Sequence, residues 1–296
     1  MTAALDTGAT GTAGQLPRLV QSEFRKIATT RLWWALLVPV AVLTFAAGWM
    51  GAEMGALSQM EERAGIPLPV GLLTVSMSTN FSTIFAALFG AMAVSAEHRN
   101  QTITTTYLTG TPRGAVLGSK LLAYAGMGVL YGLVNMVFAS LGSLIGAGTA
   151  GFGDPAAWFS VVGAGLLSIV LWTLLGVGVG ALLGSSVGAV IVLLIYKLVF
   201  ESMLSTFLAG SDMAALNAYL PAAAGNGIVG NLAVPTFVSS LTGGSAQAPQ
   251  TVYEVLHFFF GGSYLHPWWL SLLTFAGYTA VFVVAGWLVS RWRDIS

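Results

Sequence analysis

The sequence predicts an all-α integral membrane protein with six transmembrane helices, and three observations carry that prediction. Only 7% of the 296 residues are charged, while 56% are hydrophobic. Soluble domains carry about 25% charged residues, so this chain lacks the polar surface to fold in water. Six stretches reach the ~20 apolar residues that a bilayer core demands. They are 32–52, 72–96, 121–145, 158–183, 187–208 and 268–290. The cations are also sided. Arg18, Arg25, Lys26 and Arg31 precede the first stretch, Arg99, Arg113 and Lys120 fall between the second and third, and Arg291 and Arg293 follow the last. Six spans put all of these on one face, and Lys or Arg near span ends marks the cytoplasm. Arg63 stands alone on the other face, and Lys197 lies inside span five. Five or seven spans would scatter the clusters over both faces.

Residues 1–16 are rich in Thr, Ala and Gly, with one charge at Asp6. They lack the basic start and apolar core of a signal peptide and are expected to form a disordered cytoplasmic tail. Residues 17–31 predict an amphipathic helix. Leu19, Val20, Phe24 and Ile27 recur at helical steps, with Arg18, Gln21, Arg25 and Lys26 opposite. Such a helix lies in the headgroup region with its cations near anionic lipid. Residues 32–296 then form a single membrane domain.

Span two carries Asn80 and, at four-residue steps, Phe81, Phe85 and Phe89. That spacing places the three rings on one helical face. Residues 95–120 are a polar island between two apolar segments. A Gly-rich turn joins spans three and four. In span four Gly176, Gly180 and Gly184 are four apart and Gly188 continues the series. Small residues at that spacing permit close helix approach, expected here between spans four and five. Span five holds Lys197 and Glu201, four apart and so able to pair. Ionisable residues at this depth are costly and point to function by default. The pair is read either as structural or as serving substrate or coupling.

Residues 209–267 carry no Lys or Arg. They are expected to form an outer cap of interfacial or re-entrant helices. Residues 213–219 should be helical with Pro221 as the stop, 242–250 should be a linker, and 251–260 is apolar enough to dip into the bilayer edge.

Several chemistries are disfavoured. The absence of cysteine removes disulfides and thiolate metal sites. The histidines lack metal-ligand spacing. Gly184-Ser185-Ser186-Val187-Gly188 fits G-x-S-x-G, but it falls between two helices with no histidine oriented toward it. A tight inter-span turn explains the match. No phosphate-binding G-x-x-x-x-G-K-[ST] is present, so energy from a nucleotide is expected to come from another chain.

The polar island gives the sharpest signal. Glu97, Arg99, Thr102, Ile103, Tyr107 and Leu108, then Pro112-Arg113 and Lys120 at the start of span three, resemble the cytoplasmic loop of ABC-2 type permeases, the membrane subunits of type V ABC exporters common in actinobacteria. The amphipathic helix ending in Arg31-Leu32-Trp33 is similar to that family. So are the Gly-rich exit of span four, Glu201 in span five, and the run Tyr219-Leu220-Pro221 before a large fifth loop. Two positions depart from the family pattern: Gly184-Ser185 stands where a basic residue often follows span four, and Gly114 where a second one follows Pro-Arg.

The resemblance implies a permease subunit of an exporter in the bacterial plasma membrane. The island would be a cytoplasmic coupling helix docked on a separate ATPase. Glu97, Arg99, Thr102, Ile103, Tyr107, Leu108, Arg113 and Lys120 would make the contact. Residues 104–106 are all threonine, weak helix formers that docking would support. Two ABC ATPase subunits would carry ATP and Mg, with no cofactor in this chain. A second permease chain, a homodimer rather than a heterodimer, would complete a pathway lined by spans two and five. Asn80, Phe81, Phe85, Lys197 and Glu201 are its candidates. Membrane lipid is a further partner and nucleic acid is not. The apolar spans suit a lipophilic, lipid or peptide substrate. A secondary transporter or channel would need inverted repeats or more intramembrane charge. A non-transporting assembly or sensor protein is the remaining rival, and a copurifying ATPase separates the cases.

Overall fold

The computed structural model describes residues 12–52, 68–99, 113–209, 211, 213–243, 249–260 and 266–293. Among them there is no strand. Six helical segments are long and apolar enough to cross a membrane: Leu32–Gly51, Val70–Ala96, Gly114–Ala147, Pro155–Leu183, Ser186–Leu208 and Trp268–Ser290. They agree with the six sequence stretches to within a few residues at most ends. The protein is therefore a multi-pass membrane protein. The end that carries the Lys and Arg clusters is called the basic end below.

Helix α1, Thr12–Thr29, starts inside the stretch expected to be a tail. It runs through Pro17, its sixth residue, where the proline forgoes one backbone hydrogen bond near the start of the helix. Helix α2, Leu32–Ala52, is the first span. Helix α3, Val70–Arg99, and helix α5, Pro155–Leu183, pack along each other at the centre of the bundle. Helix α4, Arg113–Ala147, packs on α2 and α5.

Glycines set the central contact. A side chain on Gly176 would run into the Ala87 carbonyl, and one on Gly180 into the Ala91 carbonyl, both on α3. Gly90 of α3 meets the Thr173 carbonyl in return. Gly178, on another face of α5, abuts the final helix α10, Trp268–Arg293. A Cβ there would stand 2.6 Å from the Phe282 backbone. Gly176 and Gly180 of the span-four series thus pack on span two, and Gly178 beside them on span six, not on span five as expected. The series breaks because Gly184 ends α5 in the left-handed conformation (φ 64°). Gly188 already belongs to the next helix, where Ser185 caps it by accepting from the Gly188 N–H at 3.2 Å. The G-x-S-x-G match is this cap.

Hydroxyls and amides tie the spans across the apolar interior. Ser82 donates to Asn135 Oδ1 at 2.6 Å, Asn135 Nδ2 to Thr79 at 3.3 Å, and Thr74 and Ser143 share a 2.7 Å bond. Ser95 of α3 donates to the Gly180 carbonyl at 3.1 Å. Each such bond is worth about 0.6 kcal/mol on average within a bilayer. Close packing therefore provides most of the hold.

Span five is composite: α6, Ser186–Ile195, a π-helical turn, Tyr196–Phe200, and α7, Glu201–Ala209. The chain then folds back. A 3-10 turn, Ala214–Tyr219, lies against α7, where Ser205 donates to Asn217 Oδ1 at 2.6 Å. Pro221 follows the end of that turn, as the expected stop, and has a second role as well. It opens α8, Pro221–Leu241, as a first-turn proline. Helix α8 buries Ala224, Ile228, Val234 and Phe237 among α3, α5 and α10. Its start lies beside Glu201, about 10 Å short of the end of span five by helical rise. This loop thus holds a 21-residue helix packed within the helical bundle. Helix α9, Gln250–Phe260, packs on α8 and α3.

Candidate functional site

Two polar assemblies stand out in this apolar bundle. One is inside it, where span five meets α8, and the other is at the basic end.

Lys197 sits on the π-helical turn of span five. Such turns often mark functional positions, because the inserted residue shifts the side chains that follow it. Its Nζ donates to Thr83 Oγ1 of α3 at 2.6 Å and lies 3.8 Å from the centre of the Trp172 ring of α5. Thr83 passes its own proton to the Asn80 carbonyl at 2.8 Å. One cation thus joins three spans. Trp172 also stacks near Phe275 of α10, ring centres 4.7 Å apart, and faces Gly225 of α8, where a Cβ would meet its Nε1 at 2.6 Å. Ser168 donates to the Gly225 carbonyl at 2.9 Å. The Trp172 Nε1 and the Asn226 Oδ1 have no hydrogen-bond partner among the described residues.

Glu201 is buried and does not pair with Lys197. Its carboxylate accepts from the backbone N–H groups of Ala222 at 2.8 Å and Ala223 at 2.5 Å. The physical reason is the start of α8. Its first N–H groups have no helical acceptor, and the helix dipole favours an anion there. A carboxylate satisfies two orphan donors at once, which a single ammonium partner would not. Lys197 then finds a hydroxyl and an indole face. The expected ion pair is replaced by two separate ties, one to α3 and α5 and one to α8.

The pathway candidates do not share one lining. Phe81 is 38% exposed, Phe85 is half-buried, and Phe89 is fully buried. Phe89 lies in an aromatic cluster with Tyr131 and Tyr124 at 5.4 and 5.8 Å. Four-residue spacing keeps the rings on one face, but that face runs from the bundle exterior into its core. Asn80 is half-buried one turn from Thr83.

At the basic end, Thr102, Ile103, Tyr107 and Leu108 lie outside the described residues. Glu97 and Arg99 fall in the last turn of α3, and Arg113 opens α4. Lys120 turns inward. Its Nζ is 3.2 Å from Glu23 Oε2 of α1, while Lys26 holds Glu23 Oε1 at 2.6 Å. Burial pushes the Glu23 carboxyl up, but Lys120 and Lys26 outweigh it and hold the group below its ordinary range. Sequence reasoning overlooked Glu23. The signal was there: one acid on the apolar side of an otherwise basic helix, three residues before Lys26.

Among the described residues no cluster of His, Cys, Asp or Glu could hold a metal ion. The geometry places charges between helices and sets no base beside a nucleophile. Residues 19–208 match the family described as ABC-2 family transporter protein. No curated protein matches the chain.

Proposed function

Because the chain belongs to the ABC-2 family transporter proteins, we propose that it is the permease subunit of an exporter driven by ATP hydrolysis on a separate subunit. The observation that carries this reading is the extent of the match. It runs from α1 through span five and includes the whole polar island between α3 and α4. In this reading the basic end faces the cytoplasm, following the side on which Lys and Arg collect. Two ABC ATPase subunits bind there, each holding ATP and Mg, and residues 97–108 with Arg113 form the coupling contact. Lys120 has a different part. By gripping Glu23 it fastens α1 to the start of α4, so a push on the island reaches the interfacial helix.

Two copies of the chain form the pathway, with spans two and five on its wall. Movement at the island travels up α3 to Thr83, where Lys197 links α3 to span five and to α5. The π-helical turn gives span five a place to bend. The substrate is a lipophilic molecule, a lipid or a peptide, in keeping with wall residues such as Phe81 and Phe85.

Affinity purification of the intact membrane complex tests the reading. It predicts a soluble ATPase copurifying in equal number with this chain, and ATP turnover in that complex. A chain that purifies without any ATPase yet still drives transport on an ion gradient would overturn it.

A further inference from the structure

At the basic end α1 does not lie flush along α4. Glu23 and Ile27 dock there and are buried, but Leu16, Pro17, Val20, Gln21 and Phe24 stand off from Leu122. Between them is a cleft of about 440 Å³, apolar except for Gln21. It is a shallow groove open to the outside along one side, not an enclosed cavity. Gly126 fixes one wall: a Cβ there would stand 2.6 Å from Phe24 Cζ, so the ring lies over bare backbone. Leu122 is exposed and lies near the basic-end start of the third candidate span, so the cleft opens on the outer surface of the bundle there.

The rim is cationic. Arg18 and Arg25 fall on the face of α1 next to Gln21, by the 100° step of a helix, and both are exposed. Among the described residues neither pairs with a carboxylate. The sole acid of α1 is Glu23, already held by Lys26 and Lys120. An apolar groove at the start of the third candidate span, with two exposed guanidiniums on the adjoining face of α1, suits an amphiphile with an apolar tail and an acidic head. A neutral lipid would leave the cations uncompensated, and so would an apolar peptide. We propose that this cleft holds one acyl chain of an anionic phospholipid whose headgroup is bound by Arg18 and Arg25. The lipid completes the seat of α1, whose docking on α4 rests otherwise on Glu23, Phe24 and Ile27.

The test is lipid retention by the full chain, reconstituted in equal parts phosphatidylglycerol and phosphatidylcholine, extracted gently and weighed by native mass spectrometry. The wild type should retain phosphatidylglycerol several-fold over phosphatidylcholine. Leu122→Trp fills the cleft from an exposed position without touching Glu23 or Lys120 and should abolish that retention. Val20→Trp fills it from the other wall, in case the first variant misfolds. Arg18→Gln combined with Arg25→Gln should keep a bound lipid but lose the headgroup preference. Retention in the bath ratio by the wild type overturns the proposal, as does undiminished phosphatidylglycerol in both Trp variants. Retention indifferent to headgroup, as when a protein partner covers the cleft, also overturns it.

Discussion

Glu23 and Lys120, 97 positions apart in the chain, meet at 3.2 Å and fasten α1 to the start of α4. Glu23 is 3% exposed, so its charge depends on its two lysine partners. Removing one partner of a buried pair costs more than removing both, because the survivor is stranded. Glu23→Gln and Lys120→Met should each weaken α1 docking by about 1–3 kcal/mol, and the double variant by less than their sum. Thermal unfolding in lipid nanodiscs measures this. Strict additivity would show that the contact carries no energy.

The same pair has a pH signature. The folded Glu23 carboxyl lies below its unfolded value of 4.5. Its contribution is therefore fully present above that value and is lost as pH falls through the lowered folded one. Hydrogen exchange along α1 should be steady from neutral pH to about 5, once corrected for intrinsic rates, and should accelerate in the acid range below 4.5. In Glu23→Gln the step should vanish. A step that persists in the variant would assign it to another group.

Glu201 closes the exposed start of α8 within the bundle. Glu201→Ala leaves one buried and one part-buried N–H without an acceptor, at about 1–3 kcal/mol for the buried one. Protection from exchange at 222–230 should drop by at least tenfold, since 1.4 kcal/mol is a factor of ten. Glu201→Gln retains one acceptor oxygen and should fall between. Unaltered protection in the Ala variant would remove the capping role.

Lys197 presents a balance of large terms. Placing its charge at this depth costs roughly 2.5–3.5 kcal/mol. The Thr83 bond and the Trp172 face return about 1.5–3 and up to about 2 kcal/mol. These nearly cancel, so Lys197→Met should change the unfolding midpoint little. Under the proposed function the same variant should lower transport sharply, because α3, α5 and span five lose their common tie. Wild-type transport by a folded Lys197→Met protein would make the lysine dispensable.

The central contact allows a clean comparison among glycines. Gly176→Ala and Gly180→Ala drive a methyl into the α3 backbone and should each cost about 1–3 kcal/mol or more. Gly163→Ala and Gly277→Ala meet open space and should stabilise by roughly 0.5–1 kcal/mol through helix propensity. Equal effects at the four sites would contradict the packing described.

Hydropathy and charge siting made six spans and a basic end legible, because each span must satisfy its own backbone within lipid. They did not reveal α8. Its sequence, with Gly225, Asn226, Gly227, Gly230 and Asn231 in the first half, has too little apolar bulk to register as membrane-embedded. Those small residues are what let it wedge among α3, α5 and α10. Pro221 is legible as the stop after the 214–219 turn but not as the start of α8, because whether a proline also opens a helix depends on what caps that helix. The capping group, Glu201, lies twenty positions upstream. Its sequence neighbour Lys197 suggested a local ion pair instead. The glycine series announced close packing, but not the partner, since spacing fixes a face of one helix and leaves the opposing helix open.

The most direct measurement of the central claim is substrate moved per ATP hydrolysed, in proteoliposomes that contain this chain and its ATPase. Under the proposed function, Glu97→Ala and Arg99→Ala should insert normally and still permit ATP hydrolysis while that ratio collapses, because the proposed coupling contact is lost. An unchanged ratio in both variants would contradict the coupling role of residues 97–108.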